Sequence, residues 1–488
     1  MTGNARLSVT GRVLVLGCGS VSQCLQPLLL AHLDMPRDRL TVLDMTDRRT
    51  EIPDTLAAGC RFVQRQLTPE NLAETLSEQV GPGDVLVNLT WNIGTEDIIG
   101  WCHDNGVLYV DTSVEQWDPY ADMNARHPTD KTLFARHHAL RRMSRDWDSR
   151  GPTAIIEHGA NPGLVSHWTK VGLEDVATAM LKDGVEDLLR RARIEQALDE
   201  GDHARMAMET GTRAIHISER DTQIGSLPKE PEEFVNTWSV EGFYEEGVAP
   251  AELGWGTHER ELPPAAVVPE DGIGNQICLA RPGMATWVRS WVPSSGPIEG
   301  MLIRHGEAVT ISDHLTVTDD DGKVAYRPTV HYAYLPTDAA LASVHECKMR
   351  GFRLQERQRI MTDEIISGAD ELGVLLLGHD LGAWWTGSQL TIEETRELVS
   401  GQNATTLQVA ASVLAAVFAA VRHPERGLCR PDDLDHHEIL AIADPYLGPT
   451  PSVRSDWTPQ ATGPGPFDDY LGVTPPDDPW QFSNVLVS

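Results

Sequence analysis

The stretch "FVNTWSVEGFYEEG" places Trp238 close in sequence to Glu241, Glu245 and Glu246, and Glu219 lies just upstream in "SERDT". Carboxylates attract a cation, and an indole face holds one without a hydrogen bond. The set therefore suits an organic ammonium, which gains about 2 kcal/mol or more over a desolvated tryptophan face. A tryptophan on a β-strand is more often a core residue. Glu241 and Glu245 also fit a solvated strand face, so the cation site is read on Glu219, Trp238 and Glu246 alone. His305 in "IRHGE" has a side chain that titrates near neutrality and suits proton transfer, although a lone histidine is more often structural.

A second chemistry lies near the start. "VLVLGCGSVSQ" gives Gly17-x-Gly19-x-x-Ser22 between a predicted strand and a predicted helix. Gly17 permits the tight turn, and Gly19 lets the backbone approach a pyrophosphate. Ser20 and Val21 open the helix whose N-terminus attracts that charge, and Ser22 stands where a small residue packs helix on strand. This is a dinucleotide-binding loop. Asp44 ends the next strand, where a carboxylate bonds ribose hydroxyls and repels a 2′-phosphate. NAD is therefore expected over NADP, although Arg48 and Arg49 follow closely. The ends of later strands face the same crevice with Asn88, Thr90, Trp91, Asn92, Asp111, Thr112, Ser113 and Glu115. "PDDLDHHE" has metal-ligand residue types but reads better as the cap of a helix starting near Leu434, so no metal is expected. No GxSxG, HExxH or P-loop pattern occurs.

These residues need a scaffold. Residues 1–160 alternate apolar runs with helical stretches, which predicts a doubly wound parallel sheet of Rossmann type. Residues 161–390 begin helical, from Val165 to Met208. They then turn into β-like runs: "RAIHISERDT", "FVNTWSVEGF", "ATWVRSWV", "GMLIRHGEAVTISDHLTVTD" and "YRPTVHYAYLP". That pattern predicts a second α+β unit with a largely antiparallel sheet, and Asp320-Asp321-Gly322 is a hairpin turn signal within it. Residues 391–447 form a helical segment expected to pack back on the first unit. Residues 448–488 are rich in Pro, Gly and Asp and are expected to run extended over the surface.

The 488 residues carry 41% hydrophobic and 23% charged side chains, which is ordinary for a globular protein. A net charge of −32 argues against nucleic acid and would draw in cationic ligands. Seven dispersed cysteines without a CxxC pair point to a reducing compartment. No signal peptide is apparent, and the apolar run from Leu407 to Val421 reads as a buried helix, so a cytoplasmic protein without a membrane partner is expected.

"NLTWNI", "DTSVEQW", "HGANPGLVSHW", "HISERDTQ", "EFVNTWSVEGF", "PAELGWGTHE" and "MLIRHGEA" together resemble the bacterial homospermidine synthases of the saccharopine dehydrogenase-like group, from about Val13 to about Leu447. The resemblance implies a homodimer with tightly held NAD. It also implies oxidation of putrescine, loss of ammonia, condensation with a second putrescine and re-reduction to homospermidine. By motif, Glu219 and Glu246 would hold the distal ammonium and Trp238 would orient the aminium and iminium states. Asn161 would position the reacting nitrogen beside the nicotinamide, Asn92 and Glu115 would line the inner site, and His305 would serve as the base. The alternatives are another reductive aminase, such as saccharopine or carboxyspermidine dehydrogenase, or a non-catalytic NAD-binding regulatory protein. The first needs cationic groups for a substrate carboxylate. The second has no reason to keep Asn161, Glu219, Trp238 and His305 together.

Overall fold

The computed structural model describes residues 6–121, 126–460, 465, 467, 470 and 477–487. Seven parallel strands form the first sheet. In spatial order they are Leu428–Cys429, Ala154–Ile155, Leu108–Asp111, Val85–Asn88, Val13–Leu16, Leu40–Asp44 and Arg61–Gln64. Val13–Leu16, Val85–Asn88 and Leu108–Asp111 are buried along their whole lengths. Burial on both faces is why they read as unbroken apolar runs. The chain's progression across the sheet reverses at Val13–Leu16, and that switch point opens the crevice expected above the carboxyl ends.

The second sheet has ten strands. Its centre is a parallel pair, Ala214–Asp221 and Thr329–Leu335, and its other ladders are antiparallel. Ala369–His379, Gly382–Thr391 and Ser452–Ser455 extend it on one side; Pro250–Gly254, Gln276–Pro282 and Ala266–Val267 extend it on the other. The central register sets Tyr334 opposite Glu219 and Tyr332 opposite Ile217. Side chains alternate along a strand, so both tyrosines share a sheet face with Glu219.

The stretch from Val165 to Met208 is three helices, Leu164–Asp183, Leu188–Glu200 and His203–Thr210. Two runs expected as β structure are partly helical. In the first, only Glu233–Asn236 is a strand, and Val240–Val248 is a helix capped by the Ser239 hydroxyl, which accepts from Gly242 N. In the second, the strand ends at Met301 and Glu307–His314 is a helix with Glu307 in its first turn. A capping serine and first-turn glutamates override the strand preference of Val, Phe, Tyr, Thr and Ile in these short segments. Asp320-Asp321-Gly322 does join two antiparallel strands, Val317–Thr318 and Val324–Tyr326.

Helix Ala404–Arg422 is long and apolar enough to cross a membrane, but 89% of its apolar window is buried inside the protein. It packs against helix Ser20–His32 and against strands of the parallel sheet. The chain then supplies that sheet's outermost strand, Leu428–Cys429. Farther on, Ser452–Ser455 becomes an edge strand of the second sheet. The short helix Phe482–Val485 buries Phe482 and Val485 in one cluster with Val288 and Ala333. Where described, the 448–488 segment is thus woven into the second sheet; most of 461–476 lies outside the described residues.

Candidate active site

The glycine loop is shaped by what surrounds it. Gly17 has φ +89°, and a Cβ there would stand 2.8 Å from the Leu89 carbonyl oxygen, so a side chain is excluded on both counts. At Gly19 a Cβ would meet nothing within 4 Å, which leaves open space over the N-terminus of helix Ser20–His32, an end that no side chain caps. Ser22 is buried, and its hydroxyl accepts from Gln26. Asp44 ties the second strand to the loop: one carboxylate oxygen accepts from Cys18 N at 2.8 Å and the other from Thr46 N at 2.8 Å. Arg48 is paired with Glu51 and Arg49 with Asp47, so both guanidiniums have carboxylate partners. Asn88 receives the backbone and hydroxyl of Thr90, fixing the loop that leads to Asn92. Open space above an uncapped helix end, with a carboxylate at the next strand, fits a dinucleotide.

Across the crevice the second sheet presents the amine-binding candidates. Glu219 accepts from Asn161 Nδ2 at 3.0 Å and from the Tyr332 hydroxyl. Burial drives its carboxyl up to about 8, against the pull of those hydrogen bonds. Tyr332 stacks on Tyr334 at 5.3 Å and lies 4.4 Å from the His305 ring. Trp238 is half-buried and donates its Nε1–H to Tyr334 at 3.1 Å. His305 Nε2 is 3.1 Å from Glu246 and Nδ1 is 3.2 Å from Glu307. Asn161, Glu219, Trp238, Glu246 and His305 therefore belong to one contiguous network.

His305 differs from the sequence expectation in its proton affinity. Burial works against the charged ring, but Glu307 and Glu246 outweigh it, and the imidazolium is held well above the ordinary histidine range. His305 is thereby a loaded acid. Glu245, expected on a solvated face, is instead buried between Arg136, at 2.6 Å, and Arg304. Glu115 accepts from Ser113 and stands 4.0 Å from Arg136. Burial and the Glu245 charge push its carboxyl up to about 7. Asn92 sits at φ +66° with its amide oxygen buried and without a hydrogen-bond partner. Thr112 packs beside Gly159, its Cβ 3.6 Å from where a Cβ on that glycine would stand.

Two saccharopine dehydrogenase families match the chain: the NADP binding domain over residues 13–155 and the C-terminal domain over residues 159–450. A homospermidine synthase of Blastochloris viridis is 42% identical over 98% of both chains. One from Mesorhizobium japonicum is 39% identical over 98% of this chain and 97% of its own. The chain belongs to the homospermidine synthase family. A crystal structure of the Legionella pneumophila homospermidine synthase in complex with NAD superposes with a TM-score of 0.86 at 35% identity, covering 99% of each chain.

Tyr332, Tyr334 and Glu307 were not singled out from the sequence. In "HYAYLP" the alternation marks two tyrosines on one strand face, but only the pairing with Ala214–Asp221 shows that Glu219 shares it. Glu307 stands two residues from His305 and could have been found from that spacing alone. Glu157 and His137 form a further buried pair at 2.7 Å behind the site, where a Cβ on Gly306 would strike the Glu157 carboxylate.

Proposed function

We propose that this protein joins two putrescine molecules into homospermidine and ammonia, with NAD as a recycled cofactor. The observation that carries the reading is the contiguous set Asn161–Glu219–Tyr332–His305–Glu246, flanked by Trp238 and Tyr334, facing a dinucleotide crevice. Putrescine offers only two ammonium groups and a methylene chain, and this set consists of carboxylates, an amide and aromatic rings. The two buried guanidiniums nearby, Arg136 and Arg304, are already engaged: they share Glu245, and Glu115 stands 4.0 Å from Arg136. That speaks against a substrate carboxylate and hence against an amino-acid reductive aminase.

Gly17, Gly19, Ser20, Val21, Ser22 and Asp44 would hold the adenosine and pyrophosphate end of NAD, and Asn88, Thr90, Thr112 and Asn161 would hold the nicotinamide end. When bound, NAD supplies the hydride acceptor and donor. The chain's residues do the rest. Asn161 has its Nδ2 engaged with Glu219, which leaves its amide oxygen to orient the reacting amine. Glu219 gives up its proton on meeting an ammonium and then holds it. His305 donates a proton from Nε2 to the departing nitrogen. An ammonium that draws Glu246 away weakens the grip on the imidazolium and readies it to act as base. Trp238 offers its face to the charged imine states, and Asn92 and Glu115 line the inner end.

The division at 160, 390 and 447, and a homodimer, belong to the same reading; the family resemblance supports the dimer, and light scattering tests it. The function is tested by incubating the purified protein with putrescine and NAD far below stoichiometry. Homospermidine should accumulate beyond the NAD supplied, without net NADH. NADH rising in step with product would mean an ordinary dehydrogenase.

A further inference from the structure

Three helices converge at a point the reaction does not use. Glu174 lies ten residues beyond Leu164 on helix Leu164–Asp183, about 15 Å along the axis from its start beside Asn161. His203 opens helix His203–Thr210, and His436 opens helix His436–Ala443. Their Nε2 atoms stand 3.0 and 3.2 Å from one oxygen, Glu174 Oε1, and the three ligand atoms lie within 4.8 Å of one another. The imidazoles meet edge to face, 5.4 Å apart. His436 Nε2 is buried, aimed into the cluster and without a well-formed hydrogen bond.

The surroundings favour a ligand set ready for metal. Glu174 Oε1 faces the Nε2 atoms of both imidazoles. Lys170 nearby has its ammonium tied at 2.7 Å to the carbonyls of Asp432 and Leu434, and the carboxylates of Asp432, Asp433 and Asp435 offset it. His437 lies against His436, ring centroids 4.0 Å apart and tilted by 36°. The "PDDLDHHE" stretch does cap a helix, through Asp435, and the cap is what sets His436 at the helix start.

We propose that Glu174, His203 and His436 bind one divalent transition-metal ion, zinc by ligand type, with the remaining position open to water. The ion pins the closing helix His436–Ala443 to the two helices that lead out of Asn161 and into the Glu219 strand. The site stands apart from the proposed reaction.

The test uses full-length protein stripped with chelator and titrated with zinc sulfate by calorimetry, with metal counted per chain after gel filtration. One zinc per chain is expected, together with a rise in Tm that magnesium does not produce. His203→Gln and His436→Asn should each weaken binding roughly 100-fold or more and abolish the Tm rise, while the metal-free proteins melt close to the parent. Should His436→Asn fail to fold, His203→Gln alone decides, because its ring is partly exposed. No retained zinc, or zinc bound equally well by the variants, overturns the site and leaves Glu174 as a carboxylate shared by two imidazoles.

Discussion

Glu219 favours its protonated form because burial outweighs the hydrogen bonds from Tyr332 and Asn161. A putrescine ammonium favours the ionised form, so binding below about pH 8 must expel that proton. Calorimetric titrations at neutral pH in buffers of different ionisation enthalpy should show proton release approaching one per site, and Glu219→Gln should abolish it. Buffer-independent heats in the parent protein would rule the assignment out. Stability follows the same sign. The folded state keeps a proton that the unfolded state loses between the ordinary carboxyl range and about 8, so the Glu219 contribution falls as pH rises through that window. Glu219→Gln should flatten that slope. Trp238 is tested by comparison: Trp238→Ala should cost roughly 30-fold in kcat/KM, the equivalent of about 2 kcal/mol, and Trp238→Phe should cost less. Its ring is half-buried, so Tm should barely move. A loss of several kcal/mol in stability with normal turnover would make it a packing residue. Trp238 and its acids were legible in the sequence because their chemistry is unusual together. Tyr332 and Tyr334 were not, because tyrosine on an alternating strand is ordinary until its partner strand is known.

Among the elements, the helix Val240–Val248 matters most, since it carries both Glu245 and Glu246. Ser239→Ala removes its cap and should cost about 1 kcal/mol of stability. It should also raise the KM for putrescine, because Glu246 loses its anchor opposite His305. A change in Tm with unaltered kinetics would show that the helix start does not place Glu246. Gly17→Ala forces a side chain into a left-handed turn and against the Leu89 carbonyl. It should destabilise by about 1–3 kcal/mol and weaken NAD binding more than putrescine binding. Fluorescence titration with NADH checks it, and unchanged NADH affinity would exclude the loop as the pyrophosphate site. The parallel strands could be found from the sequence because double burial writes continuous apolar runs. The helices Val240–Val248 and Glu307–His314 could not, because only eight or nine residues of strand-favouring type stand between their caps. The parallel centre of the second sheet is likewise a long-range pairing with no local signature.

For the molecule as a whole, a net charge of −32 surrounds a site for a dication. Raising ionic strength should therefore raise the KM for putrescine and leave kcat nearly unchanged, because screening weakens attraction before contact. A salt-independent KM would confine the electrostatics to the pocket. The strand Leu428–Cys429, at the edge of the parallel sheet beside Ala154–Ile155, has a consequence for how the protein is made. During synthesis the first sheet waits for its last strand, and helix Ser20–His32 waits for Ala404–Arg422 to cover it. The ribosome must add the 272 residues between Ile155 and Leu428, on the order of ten to fifty seconds at about 5–20 residues per second. Throughout that interval the nascent nucleotide-binding unit carries an open strand edge and a bare apolar helix face. Expressed alone as residues 1–160, it should aggregate where the full chain does not.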